Sequence, residues 1–193
     1  MPDPASWLPE GDSDRTLEEN WLFRLRRERY RSTRSALAHD FYVLHLADAV
    51  SVVATTPEGR LILVRQFRAG SGRDSLETPG GLLDPGEDPM AAGARELLEE
   101  TGHAGDPPRS LGTVWSNPSL MTSKITTIVI TNARLARPPA LDHGEEVDVE
   151  IVDSTQALDL IRGGRIDHAL VVMGLYAWII DRGMIRLTDS STA

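Results

Sequence analysis

Residues 81–102 of this 193-residue chain are GLLDPGEDPMAAGARELLEETG, and this stretch decides how the rest is interpreted. Asp88 is a suitable N-cap for a helix, and Pro89 fits the first helical turn. Gly102 stands where a C-terminal cap is expected. The stretch therefore predicts a helix from Asp88 to Thr101.

The side chains of this helix separate into two arcs on a helical wheel. Glu96, Glu99 and Glu100 have the spacing i, i+3, i+4, which places three carboxylates on one side of the helix. A hard divalent cation such as Mg²⁺ or Mn²⁺ would neutralise their repulsion. Taken alone, the glutamates also fit a solvated acidic face with Arg95 paired to Glu99. The arc expected to face the core consists of Met90, Ala91, Ala94, Leu97 and Leu98.

Eight fixed positions in this stretch give it a specific pattern. The pattern is Gly81-x5-Glu87-x7-Arg95-Glu96-Leu97-x-Glu99-Glu100-x-Gly102. It resembles the box of the Nudix hydrolase family, and a chance match is on the order of one in a million. The one departure is His103, where the family usually has an aliphatic residue.

The resemblance implies a fold and a set of site residues. The fold is a Nudix α/β/α sandwich, of the α/β (α+β) class, whose box helix holds divalent metal ions against a diphosphate. The implied metal ligands are Glu96, Glu99, Glu100 and the carbonyl of Gly80. Arg95 and Glu99 are also counted in the catalytic set, and Arg95 with Glu87 braces the loop and helix.

The sequences flanking the box resemble the ADP-ribose pyrophosphatase branch of that family. Residues 64–68 are VRQFR and residues 76–81 are LETPGG. The resemblance implies that Arg68 binds substrate phosphates, and that Arg65 and Glu77 either contact substrate or form a scaffold salt bridge. Pro118 stands where ADP-ribose hydrolases tend to carry a proline. The glycine that often follows is absent, so GDP-mannose and other nucleotide sugars stay open.

An acidic segment at 142–147, DHGEEV, precedes a β-rich run. It resembles the late acidic loop that supplies a catalytic glutamate in this branch. Glu145 is the first candidate for a general base or an extra metal ligand, because a mobile loop can deliver it to the attacking water. Glu146 is the second candidate, and two solvated surface carboxylates are the structural alternative.

The remaining pattern predicts a mixed α/β architecture with a small N-terminal lobe. A hairpin of strands 49–55 and 61–66, three later strands and two helices complete the main domain, and Asp167 is expected to cap the last helix. The predicted divisions are a flexible tail at 1–19, an antiparallel β lobe at 20–47, the Nudix domain at 48–183 and a C-terminal tail at 184–193.

Composition excludes several classes of protein. The chain has no cysteine, so disulfides, thiolate metal sites and thiol nucleophiles are impossible. The formal net charge of -9 argues against general binding to nucleic acid. The first residues do not resemble a secretory signal, and the apolar stretch 169–180 is too short to cross a bilayer. We therefore expect a cytoplasmic protein with neither a nucleic-acid nor a membrane partner.

The N-terminal lobe is rich in arginine, with aromatic residues interspersed. In the branch that the chain resembles, this sheet exchanges between two subunits and helps to build the substrate pocket, which implies a homodimer. One or more of the arginines could then reach a phosphate across the interface. Trp21, Tyr30 and Phe41 either stack on an adenine or pack in the core.

These features together predict a Mg²⁺-dependent or Mn²⁺-dependent enzyme that cuts a small nucleoside diphosphate derivative. The expected reaction converts ADP-ribose or a related nucleoside diphosphate sugar to a nucleoside monophosphate and a sugar phosphate. One alternative is a house-cleaning hydrolase of nucleoside triphosphates, which the N-terminal lobe disfavours. A second alternative is a non-catalytic nucleotide-sensing module, which the intact carboxylates disfavour.

Overall fold

The computed structural model describes residues 5–11, 14–141 and 144–184, and the chain forms two compact units. The first contains residues 1–48 and 115–124, and the second contains residues 49–114 and 125–193. The segment 115–124 was predicted to belong to the main domain. It groups with the N-terminal unit because the Leu44 backbone bonds to it twice, accepting from Thr122 N–H at 3.0 Å and donating to the Leu120 carbonyl at 2.8 Å.

The N-terminal unit contains a four-stranded antiparallel sheet built around its third strand. Its strands are β1 (Trp7–Pro9), β2 (Arg15–Glu19), β3 (Arg24–Ser32) and β4 (Ala38–His45). Strand β4 pairs with one edge of β3 over eight residues, whereas β1 and β2 share the opposite edge. The short strands β1 and β2 gain their backbone hydrogen bonds from the longer β3.

The prediction of a flexible tail over residues 1–19 is wrong for β1 and β2. Few residues in this segment are apolar, but contacts with neighbouring strands hold it in place. The Trp7 ring packs edge-on against Phe41 with centroids 5.4 Å apart, and Asp14 accepts a hydrogen bond from Arg29 N–H at 3.1 Å. Residues 1–4, 12–13 and 185–193 lie outside the described residues, so most of the predicted C-terminal tail is not described.

The second unit contains a mixed six-stranded sheet. Its strands are β5 (Ala49–Thr55), β6 (Leu61–Arg68), β7 (Arg73–Glu77), β9 (Arg109–Trp115), β10 (Lys124–Ile130) and β12 (Val147–Val152). They follow the order β12-β6-β5-β10-β9, with β7 also paired to β6. Strands β5 and β10 are parallel, and β6 is antiparallel to β5, β7 and β12. Two short strands, β8 (His103–Ala104) and β11 (Arg134–Leu135), form a separate antiparallel pair.

Helices cover both faces of this sheet. They are α1 (Pro89–Thr101), α2 (Ala157–Arg162), which follows a 3-10 turn at Ser154–Gln156, and α3 (Ala169–Asp181). None of the helices in the described part of the chain is long and apolar enough to cross a bilayer.

Strand alternation divides the core into two layers. Ile62 packs with Leu97 of α1, whereas its neighbours Leu61 and Leu63 pack with Trp178 of α3. The predicted α/β/α sandwich is therefore confirmed.

The ends of the helices test the predicted capping residues. Asp88 caps α1, where its carboxylate accepts hydrogen bonds from the N–H groups of Met90 and Ala91 at 3.0 and 3.1 Å. Gly102 ends α1 in the left-handed conformation, as expected. The prediction that Asp167 caps α3 is wrong, because His168 occupies that position and Asp167 pairs with Arg73 instead.

Candidate active site

Helix α1 lies close against the sheet because its inward face carries small residues. A Cβ atom on Gly93 would collide with Cδ1 of Ile128 on β10, so a larger residue here would force the Ile128 side chain to move. The buried face consists of Ala92, Gly93, Leu97, Glu100 and Thr101. The predicted separation of an apolar arc from an acidic arc is therefore wrong, since Glu100 is only 3% exposed and belongs to the face that packs on the sheet.

The loop Pro79–Gly81 faces the end of this helix and is anchored on both sides. The carbonyls of Pro79 and Gly81 accept hydrogen bonds from β5, from Val52 N–H at 2.8 Å and Val50 N–H at 2.9 Å. Between them, the Gly80 carbonyl accepts no hydrogen bond from any described residue. A Cβ on Gly80 would collide with the Val50 carbonyl, so the loop requires glycine at this position.

Two of the predicted carboxylates meet this glycine loop. The Gly80 N–H donates a hydrogen bond to Glu100 Oε2 at 3.0 Å. The Glu96 carboxylate lies directly over Gly81, where a Cβ would collide with it. The fold thus brings Glu96 and Glu100 of the helix to Gly80 and Gly81 of the loop, which lie 15 to 20 positions earlier in the sequence.

Burial controls the protonation of both carboxyl groups. It raises the pKa of Glu100 to about 8, despite the hydrogen bond from Gly80, and the charges of Glu96 and Glu145 raise it further. Burial also raises the pKa of Glu96, and the charges of Glu99 and Glu145 act in the same direction against the opposing Arg95. Glu100 makes no ion pair among the described residues, so its ionised form has no bonded cation, although the charge of Arg68 acts to lower its pKa.

Arg95 gathers the other carboxylates of the predicted site. Its Nη1 donates to Glu96 Oε1 and to Glu99 Oε2, both at 2.9 Å, and its Nε and Nη2 form a fork to Glu87 at 3.0 Å. The hydrogen bonds to Glu87 are the main reason that the pKa of Arg95 is raised, and they lower the pKa of Glu87. Arg95 is therefore placed as the predicted brace between loop and helix.

The predicted metal ligands are only partly assembled. Over residues 5–11, 14–141 and 144–184, no group of three or more His, Asp or Glu side chains has the arrangement of a metal site. Glu99 is bonded to Arg95, while Glu96 and Glu100 lie at the glycine loop. The donor set still fits a hard cation, because it combines a buried carboxyl lacking an ion pair, a second carboxylate and an uncommitted carbonyl at Gly80.

Arg68 and Glu77 form a bidentate pair beside the glycine loop. Arg68 Nε and Nη2 donate to the two oxygens of Glu77 at 2.8 and 2.7 Å. Burial pushes the pKa of Glu77 upward, but the bonds from Arg68 and Ser75 and the charge of Arg68 outweigh it, and the pKa is lowered. Arg68 Nη1 has no hydrogen-bond partner among the described residues. The pair lines a cavity of about 300 Å³ that also contains Gly80 and Gly81.

Other predicted site residues lie at different places. Arg65 donates to Glu150 on β12 at 2.7 Å and is not among the residues that line this cavity. Glu146 lies in a recess with Arg65, whereas Glu145 acts electrostatically on Glu96 and Glu100. The two adjacent glutamates therefore have different surroundings, and Glu145 is the one near the carboxylate cluster.

Pro118 belongs to the N-terminal unit. It follows Asn117, whose carbonyl accepts hydrogen bonds from Leu120 N–H at 3.0 Å and Met121 N–H at 2.7 Å. The proline thus stands in a tight turn. Asp142 and His143, the first two residues of the predicted acidic loop, lie outside the described residues.

His168 was not among the predicted site residues. Its imidazole lines the cavity that holds Arg68 and Glu77, and its Nδ1 is buried without a hydrogen-bond partner in the described structure. A single histidine before an apolar helix carries no signal of such a position, because α3 must first pack on the sheet.

The sequence model of the NUDIX domain matches residues 45–172. An ADP-ribose pyrophosphatase of Mycobacterium tuberculosis is 31% identical over 169 residues, which cover 86% of this chain and 80% of the relative. An ADP-ribose pyrophosphatase of Bacillus subtilis is 32% identical over 122 residues, covering 63% of this chain and 66% of the relative.

A solved structure shows the same fold. The crystal structure of an ADP compounds hydrolase superposes with a TM-score of 0.78, at 22% sequence identity. The superposition covers 94% of this chain and 98% of the other.

Proposed function

This chain belongs to the NUDIX-domain family, and we propose from that premise that it hydrolyses the diphosphate of ADP-ribose or a related nucleoside diphosphate sugar. The products would be a nucleoside monophosphate and a sugar phosphate. The names of the two relatives and the residues of the site support this proposal.

One observation carries the proposal. Glu100 is buried at the glycine loop without an ion pair among the described residues, and its pKa is raised to about 8. An uncompensated buried carboxyl group destabilises a fold, and such groups concentrate at functional sites. We therefore assign Glu96, Glu100 and the Gly80 carbonyl to a bound divalent cation, with Glu99 as a further ligand once it leaves Arg95.

A bound Mg²⁺ or Mn²⁺ would neutralise phosphate oxygens and lower the pKa of a bound water that attacks phosphorus. The protein groups have separate tasks. Glu77 holds the guanidinium of Arg68 by two bonds, so that Nη1 is left to donate to a phosphate oxygen. The buried pair thus fixes the position of the donor before substrate arrives.

Glu145 is the proposed general base. Its charge acts on both Glu96 and Glu100, so its carboxylate is close to the cluster that would hold the attacking water. Glu146 lies in the recess with Arg65 instead. Substrate contacts by Arg65 and Pro118 stay predictions from the sequence.

The proposal is tested by assaying the purified chain with ADP-ribose and Mg²⁺, then with Mn²⁺, and with EDTA as the control. We expect equal amounts of AMP and ribose 5-phosphate, and no products in EDTA. A panel of GDP-mannose, ADP-glucose and modified nucleoside triphosphates sets the specificity. Turnover of triphosphates alone, or of no compound, would contradict the proposal.

Homodimerisation through the N-terminal sheet is a second part of the proposal. Large apolar side chains of this unit are exposed, including Trp21 at 90%, Leu37 at 69% and Tyr42 at 54%. Such exposure is typical of an interaction surface. Light scattering during size-exclusion chromatography should give twice the mass of 21.2 kDa, and Trp21→Ser should shift the equilibrium toward monomer. A wild-type monomer would contradict this part.

The cytoplasmic location of the protein stays a prediction from the sequence.

A further inference from the structure

A second cavity of about 460 Å³ adjoins the proposed active site within the same unit. Arg68 and His168 line both cavities, so they stand where one leads into the other. The second cavity lies between the turn that joins β6 to β7 and the residues that precede α3. Its lining consists of Arg68, Ala69, Gly70, Ser71, Arg73, Ser75, Asp167 and His168.

The two cavities differ in chemistry. The first includes apolar side chains, such as Leu82, Ile125 and Val171. Among the described residues that line the second cavity, Ala69 alone has an apolar side chain. Two guanidinium groups, two hydroxyls, a carboxylate and an imidazole remain, and these groups complement a ligand rich in hydroxyls. None of the described residues that line the second cavity is a Phe, Tyr or Trp on which a nucleobase could stack.

The wall of this cavity is ordered by its own hydrogen bonds. Ser71 Oγ donates to the Arg68 carbonyl at 3.1 Å, and Gly72 N–H donates to the same carbonyl at 2.9 Å. Arg73 and Asp167 form an ion pair that connects the turn to the residues before α3. The Nδ1 of His168 is buried and has no hydrogen-bond partner among the described residues, so the imidazole is not committed to a structural bond there.

We propose that this second cavity binds the sugar of the nucleoside diphosphate sugar, with Arg73 and Asp167 as specificity-determining residues. The inference rests on the proposed function, which places the diphosphate between the glycine loop and Arg68. A sugar attached to that diphosphate reaches the polar cavity past Arg68 and His168. There, the Asp167 carboxylate accepts hydrogen bonds from sugar hydroxyls and the Arg73 guanidinium donates to them.

The experiment compares two substrates that differ only in the sugar. They are ADP-ribose and the methyl ester of ADP on its terminal phosphate, which keeps the adenosine and the diphosphate. We expect wild-type protein to prefer ADP-ribose, and Arg73→Gln and Asp167→Asn each to lower that preference about tenfold, the effect of losing one hydrogen bond to a bound group. The readout is the ratio of kcat/KM for the two compounds.

A matched pair on the same unit controls for surface charge. Arg109 and Asp181 form an ion pair whose side chains are 57% and 36% exposed, close to 59% and 41% for Arg73 and Asp167. Arg109→Gln and Asp181→Asn should leave both activities unchanged. A parallel loss on both substrates, or no loss on either, in the Arg73 and Asp167 variants would overturn the proposal. Absence of wild-type turnover on both compounds would instead refute the proposed function itself.

Discussion

The N-terminal sheet and the carboxylate site both contain many charged side chains, but the acidic side chains differ in burial and in ion pairing. In the sheet, Arg24 donates to Glu19 at 2.5 Å and Arg29 donates to Asp40 at 2.8 Å, and all four side chains keep contact with water. At the site, Glu100 is buried and has no ion pair among the described residues. Exposed pairs of the first kind contribute little, whereas a buried carboxyl without a cation is costly. The sheet also has a buried acid, Glu28, but Arg26 and His45 pair with it. A buried carboxyl group without an ion pair, rather than the density of charge, therefore distinguishes the site from the sheet.

The largest expected effect comes from removing the charge of Glu100. Glu100→Gln keeps the shape of the side chain but cannot bind a cation as a carboxylate does. Turnover of ADP-ribose should fall by about 1000-fold or more. Circular dichroism should show an unchanged fold. Asp40→Asn is the matched control from the sheet, and it should leave turnover unchanged and cost at most about 1 kcal/mol of stability. Equal activity of the Glu100 variant and wild type would remove the distinction between the two regions.

A smaller effect is expected at the Arg68–Glu77 pair. Arg68→Lys keeps the positive charge but cannot form the two parallel bonds to Glu77 or direct a remaining N–H at a phosphate. We expect kcat/KM to fall about 10-fold to 100-fold, mainly through a higher KM. Arg65→Lys on the same strand is the comparison, since Arg65 bonds to Glu150 and is not among the residues that line the cavity. Equal losses in both variants would show that Arg65 also contacts substrate.

The smallest effect concerns the pH dependence of metal-free stability. The pKa of Glu100 rises from an ordinary 4.5 to about 8 in the folded chain, so the folded chain keeps a proton that the unfolded chain releases. The free energy of unfolding in EDTA should therefore fall as the pH rises from 4.5 toward 8, and level off above it. Tm measured at several pH values for wild type and Glu100→Gln gives this contribution by difference. Parallel curves would mean that Glu100 titrates normally and resembles the acids of the sheet.

Local signals predicted much of the fold and of the catalytic helix. Asp88 and Gly102 set the ends of α1 because capping depends on neighbouring residues alone. The NUDIX family and the sandwich followed from the spacing of the box and are confirmed by the comparisons.

Longer-range contacts explain what the sequence did not show. Glu100 is buried on the face of α1 that packs on the sheet, and it accepts a hydrogen bond from Gly80, which is 20 residues away in the chain. A helical wheel of α1 alone does not include these contacts. The strands β1 and β2 depend on β3, whose edge is defined only after folding. The positions of His168 and Asp167 depend on how α3 packs on the sheet, because both residues stand at its N-terminal end.

Strand β6 connects a buried segment, where substitutions would disturb the core, to an exposed turn, where they would not. Its first four residues, Leu61–Val64, are fully buried, and the strand then continues through Arg68 into the turn at 69–72. Side chains in that turn contact solvent and the polar cavity, so replacing them removes no core packing. A library randomised at Ala69 and Ser71 would therefore vary the surface offered to a ligand while the anchoring half of the strand keeps every variant folded. During evolution, substitutions in this turn could likewise change the selectivity for a ligand without lowering the stability of the fold.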